Sequence, residues 1–201
     1  MTKRILLAGL LGALAMYAWT SIAHMVLPLG TVGVQEIPNE PPVLTAMQGS
    51  IGGSSGFYIF PGMGLGPNPS MKEMNAAMPA YEKKLASTPS GILIYHPPGR
   101  ASMSASQLGG ELAKEFLQAL LAAWLLSLTR LGGFLARIAF VGGIGLVAAI
   151  STNISYWLWY GFPGNYTVAA VGIEVVGFVA AGLVLAGMLK PAKALAGAAA
   201  A

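Results

Sequence analysis

Apolar positions along this chain gather into long runs with few interruptions, and one polar stretch too long for a turn separates the first run from the rest. A membrane helix needs about 20 mostly apolar residues to cross the hydrocarbon core. Four segments meet that length: 5–28, 112–129, 134–158 and 166–189. The first carries no charge between Arg4 and Glu36, whereas the second has Lys114 and Glu115 in its opening turns. The pattern predicts a membrane all-α protein. Its core is a four-transmembrane-helix bundle with a small α+β extracytoplasmic domain inserted between helices 1 and 2. Residues 1–28 form transmembrane helix 1, 29–108 the outer domain, 109–193 helices 2–4, and 194–201 an alanine-rich tail.

Lys3 and Arg4 give the first segment the basic start of a secretory signal. Its apolar run, however, far exceeds the roughly 7–15 residues of a signal core, and no small-x-small cleavage site follows. A retained helix is the expectation.

The polar stretch has turn and strand signals of its own. Residues 40–49 read as a short helix, with Pro41 and Pro42 tolerated near its start. Residues 56–61 and 91–97 read as two strands bounded by glycine and proline. Between them, 70–85 reads as a helix, because Ser70 followed three residues on by Glu73 is a capping-box arrangement. Pro79 is expected to interrupt that helix and split it.

Charge orients the bundle. Lys3 and Arg4 precede helix 1, Arg130 and Arg137 flank the turn between helices 2 and 3, and Lys190 and Lys193 follow helix 4. With four crossings these basic residues share one side, without an acidic residue among them, which is the positive-inside pattern. Both termini are then cytoplasmic and residues 29–108 lie outside. Tyr156, Trp157, Trp159, Tyr160, Phe162 and Tyr166 supply an interfacial aromatic belt on the outer side.

Composition sharpens the class. Hydrophobic residues make up 55% of the chain and charged residues only 9%, against about 25% charged in a soluble domain. The formal net charge of +4 follows topology and forms no patch for nucleic acid. The absence of cysteine removes thiolate metal sites, iron–sulfur clusters, covalent haem attachment and disulfides.

Glu174 stands out as the acidic residue inside an apolar run, about eight residues and hence roughly 12 Å below the outer end of helix 4. An ionisable group there is costly and should face the bundle interior with a partner. His24, beside Thr20 and Ser21, lies at similar depth on helix 1, and Asn153 lies at similar depth on helix 3. On helix 2, Glu111, Glu115 and Gln118 share one face. This set could exchange protons, bind a polar ligand, or hold a metal through His24, Glu115 and Glu174. The reading favoured over these is interhelical hydrogen bonding that fixes packing.

A second candidate set is Met71, Met74 and Met78, at i, i+3 and i+7, with His96. Thioethers suit Cu(I), but the same spacing is that of an amphipathic helix packing its apolar face. The glycines of 62–66 look like a phosphate loop but lack a following lysine. Gly9, Gly12, Gly142, Gly143, Gly145, Gly172, Gly177, Gly182 and Gly187 read as close-packing positions in the helices. No nucleophile-elbow or His-Glu-x-x-His pattern occurs, so nothing indicates an enzyme and no cofactor is required.

Trp19, Leu27, Pro28, Glu40, the run from Gly56 to Pro61 and the run from Trp157 to Thr167 together resemble an uncharacterised family of small bacterial multi-pass inner-membrane proteins. The resemblance implies a bacterial inner-membrane location and carries over no activity and no site. The sequence therefore favours an accessory or scaffold subunit, with the lipid bilayer and a membrane-protein partner or a second copy as its partners. A small transporter or carrier of a proton, metal or polar ligand is the other reading.

Overall fold

The computed structural model describes residues 3–189. The alanine-rich tail and the basic residues Lys190 and Lys193 lie outside the described residues. The chain forms two compact units, Met1–Val34 with Met103–Ala201, and Gln35–Ser102.

The first unit is helical. Helix α1 spans Lys3–Met25 and a 3-10 turn follows at Leu29–Thr31. Within the second unit lie α2, Glu40–Ile51, and α3, Met71–Ser87. The first unit resumes with α4, Ala105–Ser127, then α5, Phe134–Ala149. A π turn at Ile150–Ile154 joins α5 to α6, Ser155–Tyr160, and α7 spans Gly164–Met188. Three helical stretches among the described residues are long and apolar enough to cross a membrane: Lys3–Met25, the continuous Phe134–Tyr160, and Gly164–Met188. That count is consistent with a membrane protein. Helix α4 is 23 residues long but carries Glu111, Lys114 and Glu115 in its first half.

Helix α4 starts earlier than the apolar run, which begins near residue 112. Ser104 caps it: its hydroxyl accepts from the Gln107 N–H at 3.2 Å while the Gln107 side chain accepts from the Ser104 N–H at 2.8 Å. These bonds satisfy donors that every helix start leaves open, so helicity extends back through a polar first turn.

Packing in this unit is built on small side chains. Helix α1 lies between α4 and α7, and α7 packs on α5. Ala8, Ala13, Ala119, Ala122, Ala123 and Ala181 are fully buried, and Leu126, Val141, Phe178 and Leu185 fill the spaces between them. Small residues let helix axes approach closely, and close van der Waals contact drives helix association in lipid. Gly145 shows the requirement most sharply, since a Cβ there would meet the Cβ of Phe178 at 2.5 Å.

The C-terminal end of α7 holds two guanidinium groups. Arg137 is 6% exposed and donates through Nη1 to the Ala186 carbonyl at 2.8 Å, and Arg4 donates through Nε to the Met188 carbonyl. A helix C-terminus has unpaired carbonyls and partial negative charge, and cations there are favourable.

The second unit pairs β1, Gly56–Phe60, with β2, Gly91–Tyr95, as an antiparallel ladder running from Gly56↔Tyr95 to Phe60↔Gly91. Tyr95 is buried and its hydroxyl donates to the Gly52 carbonyl at 3.0 Å, tying β2 to the residue that ends α2. Helix α3 opens on the expected capping box: Ser70 accepts from the Glu73 N–H at 3.3 Å and Glu73 accepts from the Ser70 N–H at 2.7 Å. Pro79 does not split this helix, which runs unbroken from Met71 to Ser87. Strong helix formers follow the proline, including Glu82, Lys83, Lys84 and Leu85, and the capped first turn precedes it.

A polar cavity in the helical unit

A cavity of about 400 Å³ opens among α1, α4, the π turn and α7. Its polar walls are Thr20, His24, Glu111, Lys114, Glu115, Gln118, Thr152, Tyr166 and Glu174. Met16, Leu29, Gly30, Ala170, Ile173 and Gly177 complete the lining with apolar surface and backbone. The size falls in the lower part of the range of small-molecule sites.

Glu115 is the most constrained of these groups. It is only 2% exposed. Its Oε1 accepts from the Thr20 hydroxyl at 3.1 Å and lies 3.4 Å from the Lys114 ammonium. Its Oε2 has no hydrogen-bond partner, the one such buried side-chain atom among the described residues. An unpaired carboxylate oxygen away from water is costly, and native proteins leave few such groups. Lys114, about half exposed, is drawn more closely to Glu111 at 2.8 Å.

Glu174 faces the same cavity from α7 and is half-buried. Among the described residues it has no hydrogen bond or ion pair. His24 is exposed at the end of α1, where its Nδ1 is 2.9 Å from the Thr20 carbonyl oxygen, and its ring lies over Gly30. A second anchor holds α1 to α7 just beside the cavity: the Trp19 indole N–H donates to the Ile173 carbonyl at 2.8 Å.

The structure thus brings Glu174, His24 and Glu115 to one cavity. Asn153 is not part of the lining: its side-chain amide donates to the Ala149 carbonyl at 3.0 Å, one turn back along its own helix. Thr152 takes its place at the wall. The π turn that contains both residues carried no signal in the apolar pattern, and such turns are frequent at functional sites. Lys114 and Tyr166 also belong to the cavity and were not singled out by depth. The proximity of Lys114 to Glu111, three residues back, was readable from helix spacing.

Among the described residues no group of three or more His, Asp or Glu side chains is placed to hold a metal ion. His24, Glu115 and Glu174 therefore share a cavity without forming a metal-ligand cluster. On α3, Met71 and Met78 are exposed and Met74 is half-buried, while His96 is exposed just after β2.

Comparison with protein-family models, with curated proteins and with solved structures returns no match. The class is therefore set by the molecule itself: a helical protein with, among the described residues, three membrane-length apolar helices and a polar cavity walled by three carboxylates.

Proposed function

We propose that this is a multi-pass membrane protein that carries or senses a small polar solute, which it binds in the cavity among α1, α4 and α7. The observation behind this reading is the Oε2 of Glu115, a buried carboxylate oxygen without a partner in a residue that walls an open cavity. A role in fixing helix packing alone leaves that oxygen unaccounted for. A ligand that donates to this carboxylate removes its desolvation penalty on binding.

In this reading α4 is a fourth crossing and its charged first half lies at the cavity rather than in lipid. Both termini are cytoplasmic, Gln35–Ser102 is extracytoplasmic, and the membrane is the bacterial inner membrane, as the basic residues and the family resemblance imply. The test is a solute screen by thermal unfolding of the purified protein in mild detergent, repeated on Ala170→Trp and Glu115→Gln. A ligand at a hundred times its Kd stabilises by about 2.7 kcal/mol, and both variants should lose that gain. No stabilisation by any solute, or equal stabilisation of Ala170→Trp, would sink the proposal.

One further observation supports an accessory-subunit reading. Gly143, Gly172 and Gly187 lie on membrane-type helices, yet a Cβ on any of them would meet nothing within 4 Å. Unlike Gly145 and Gly182, these glycines serve no contact inside the chain and are open to another helix. The mass and composition of the particle extracted in gentle detergent separate the two readings. A heteromeric particle favours the subunit, and a particle of this chain alone favours the carrier.

A further inference from the structure

We infer that the solute taken by this cavity is a small organic cation with N–H donors, held between Glu115 and Glu174. The inference rests on the cavity being a binding site and adds the charge class of its ligand.

Charge balance is the first argument. Three carboxylates wall the cavity and one ammonium faces them. Lys114 lies at 2.8 Å from Glu111 and 3.4 Å from Glu115, so a single ammonium is shared among the carboxylates. Among the described residues Glu174 has no ion pair, and Oε2 of Glu115 has no hydrogen-bond donor.

Donor balance is the second argument. The Thr20 hydroxyl is engaged on Oε1 of Glu115, and Oε2 of the same carboxylate still lacks a donor. A protonated amine supplies both the charge and two or three N–H groups. A bare metal ion fits less well, because no three acidic or histidine groups among the described residues are arranged to ligate one. Met16, Ala170 and Ile173 on the same wall leave room for a short alkyl body beside the charged end.

The experiment uses three probes of one shape and different charge: n-butylammonium, n-butanol and n-butyrate. Each is titrated into the full-length protein in mild detergent near neutral pH, with binding read by calorimetry and thermal unfolding. n-Butylammonium should bind at least tenfold more tightly than either of the others. Glu115→Gln and Glu174→Gln are near-isosteric and should each weaken its binding about tenfold or more, while Ala170→Trp should abolish it. Melting of each variant without probe verifies the fold.

If n-butanol or n-butyrate binds as well as the amine, or both glutamine variants bind the amine unchanged, the cation assignment is overturned. Cavity-dependent binding of neutral or anionic solutes would overturn it while leaving the cavity reading intact. Failure of every solute would remove both.

Discussion

The hydroxyl of Thr20 on α1 donates to Oε1 of Glu115 on α4 at 3.1 Å, so a short polar bond ties two helices at the wall of the cavity. Elsewhere Gly9 and Gly12 of α1 face Leu120 and Ala119 of α4. The bond fixes which carboxylate oxygen is satisfied and which is not. Thr20→Val should keep the shape of the side chain and remove the donor. The expected cost is about 1 kcal/mol, typical of interhelical hydrogen bonds in membranes, seen as a lower melting temperature in detergent. Thr20→Ser keeps the hydroxyl and should recover most of the loss. Equal melting of the valine variant and the native protein would show that the bond contributes nothing.

Gly145 and Gly143 make a paired test on one helix. A Cβ at Gly145 would lie 2.5 Å from Phe178 Cβ, whereas at Gly143 it would meet nothing within 4 Å. Gly145→Ala should therefore separate α5 from α7 and cost about 1–3 kcal/mol, as overpacking does. Gly143→Ala should cost nothing in the isolated protein and should stabilise it by up to about 1 kcal/mol through helix propensity. Thermal unfolding of both variants decides the matter, and a similar loss in the two would refute the packing argument.

The chain has no cysteine, which makes the proposed topology directly testable by single substitutions. A membrane-impermeant maleimide should label Ser102→Cys in intact cells stripped of their outer membrane. Gly132→Cys, in the turn between α4 and α5, should react only after permeabilisation. Labelling of both positions from the same side would mean that α4 does not cross.

Glu73 gives a pH dependence of known sign. Its carboxylate accepts from the Ser70 side chain and backbone, and these bonds lower its pKa from the ordinary glutamate value. The stabilisation of the first turn of α3 is therefore complete above the unfolded value of about 4.3. It is lost as pH falls through the lower folded value. Hydrogen-exchange protection at Met74, whose N–H bonds to the Ser70 carbonyl, should drop over that window. Glu73→Gln should flatten the profile, and an unchanged slope in that variant would assign the effect elsewhere.

Features governed by local rules were legible in the sequence. The Ser70–Glu73 box, the two short strands and the long apolar helices depend on neighbours within a few positions, so residue type and spacing reveal them. The box formed by Ser104 and Gln107 was equally local, yet a hydropathy reading placed the start of α4 near residue 112 because its first turns are polar. Helix rotation was not legible. Depth alone put Glu174, His24, Glu115 and Asn153 in one layer, but depth cannot say which way a side chain turns. Three of them reached the cavity, while Asn153 turned back to Ala149 inside a π turn. The persistence of α3 through Pro79 was hidden for another reason. A proline penalty is local, and whether the rest of the helix outweighs it depends on the whole segment.

That π turn at Ile150–Ile154 acts as a phase shifter within its helix. A π turn takes up about one residue more than an α-helical turn, so the residues after it stand about 100° out of the register that residues 134–149 set. The heading of Tyr156, whose ring packs on Phe162 at a centroid distance of 5.3 Å, is therefore not dictated by residues 134–149. A chain lacking one residue here could close into an unbroken α-helix and still present the same aromatic edge to its surroundings.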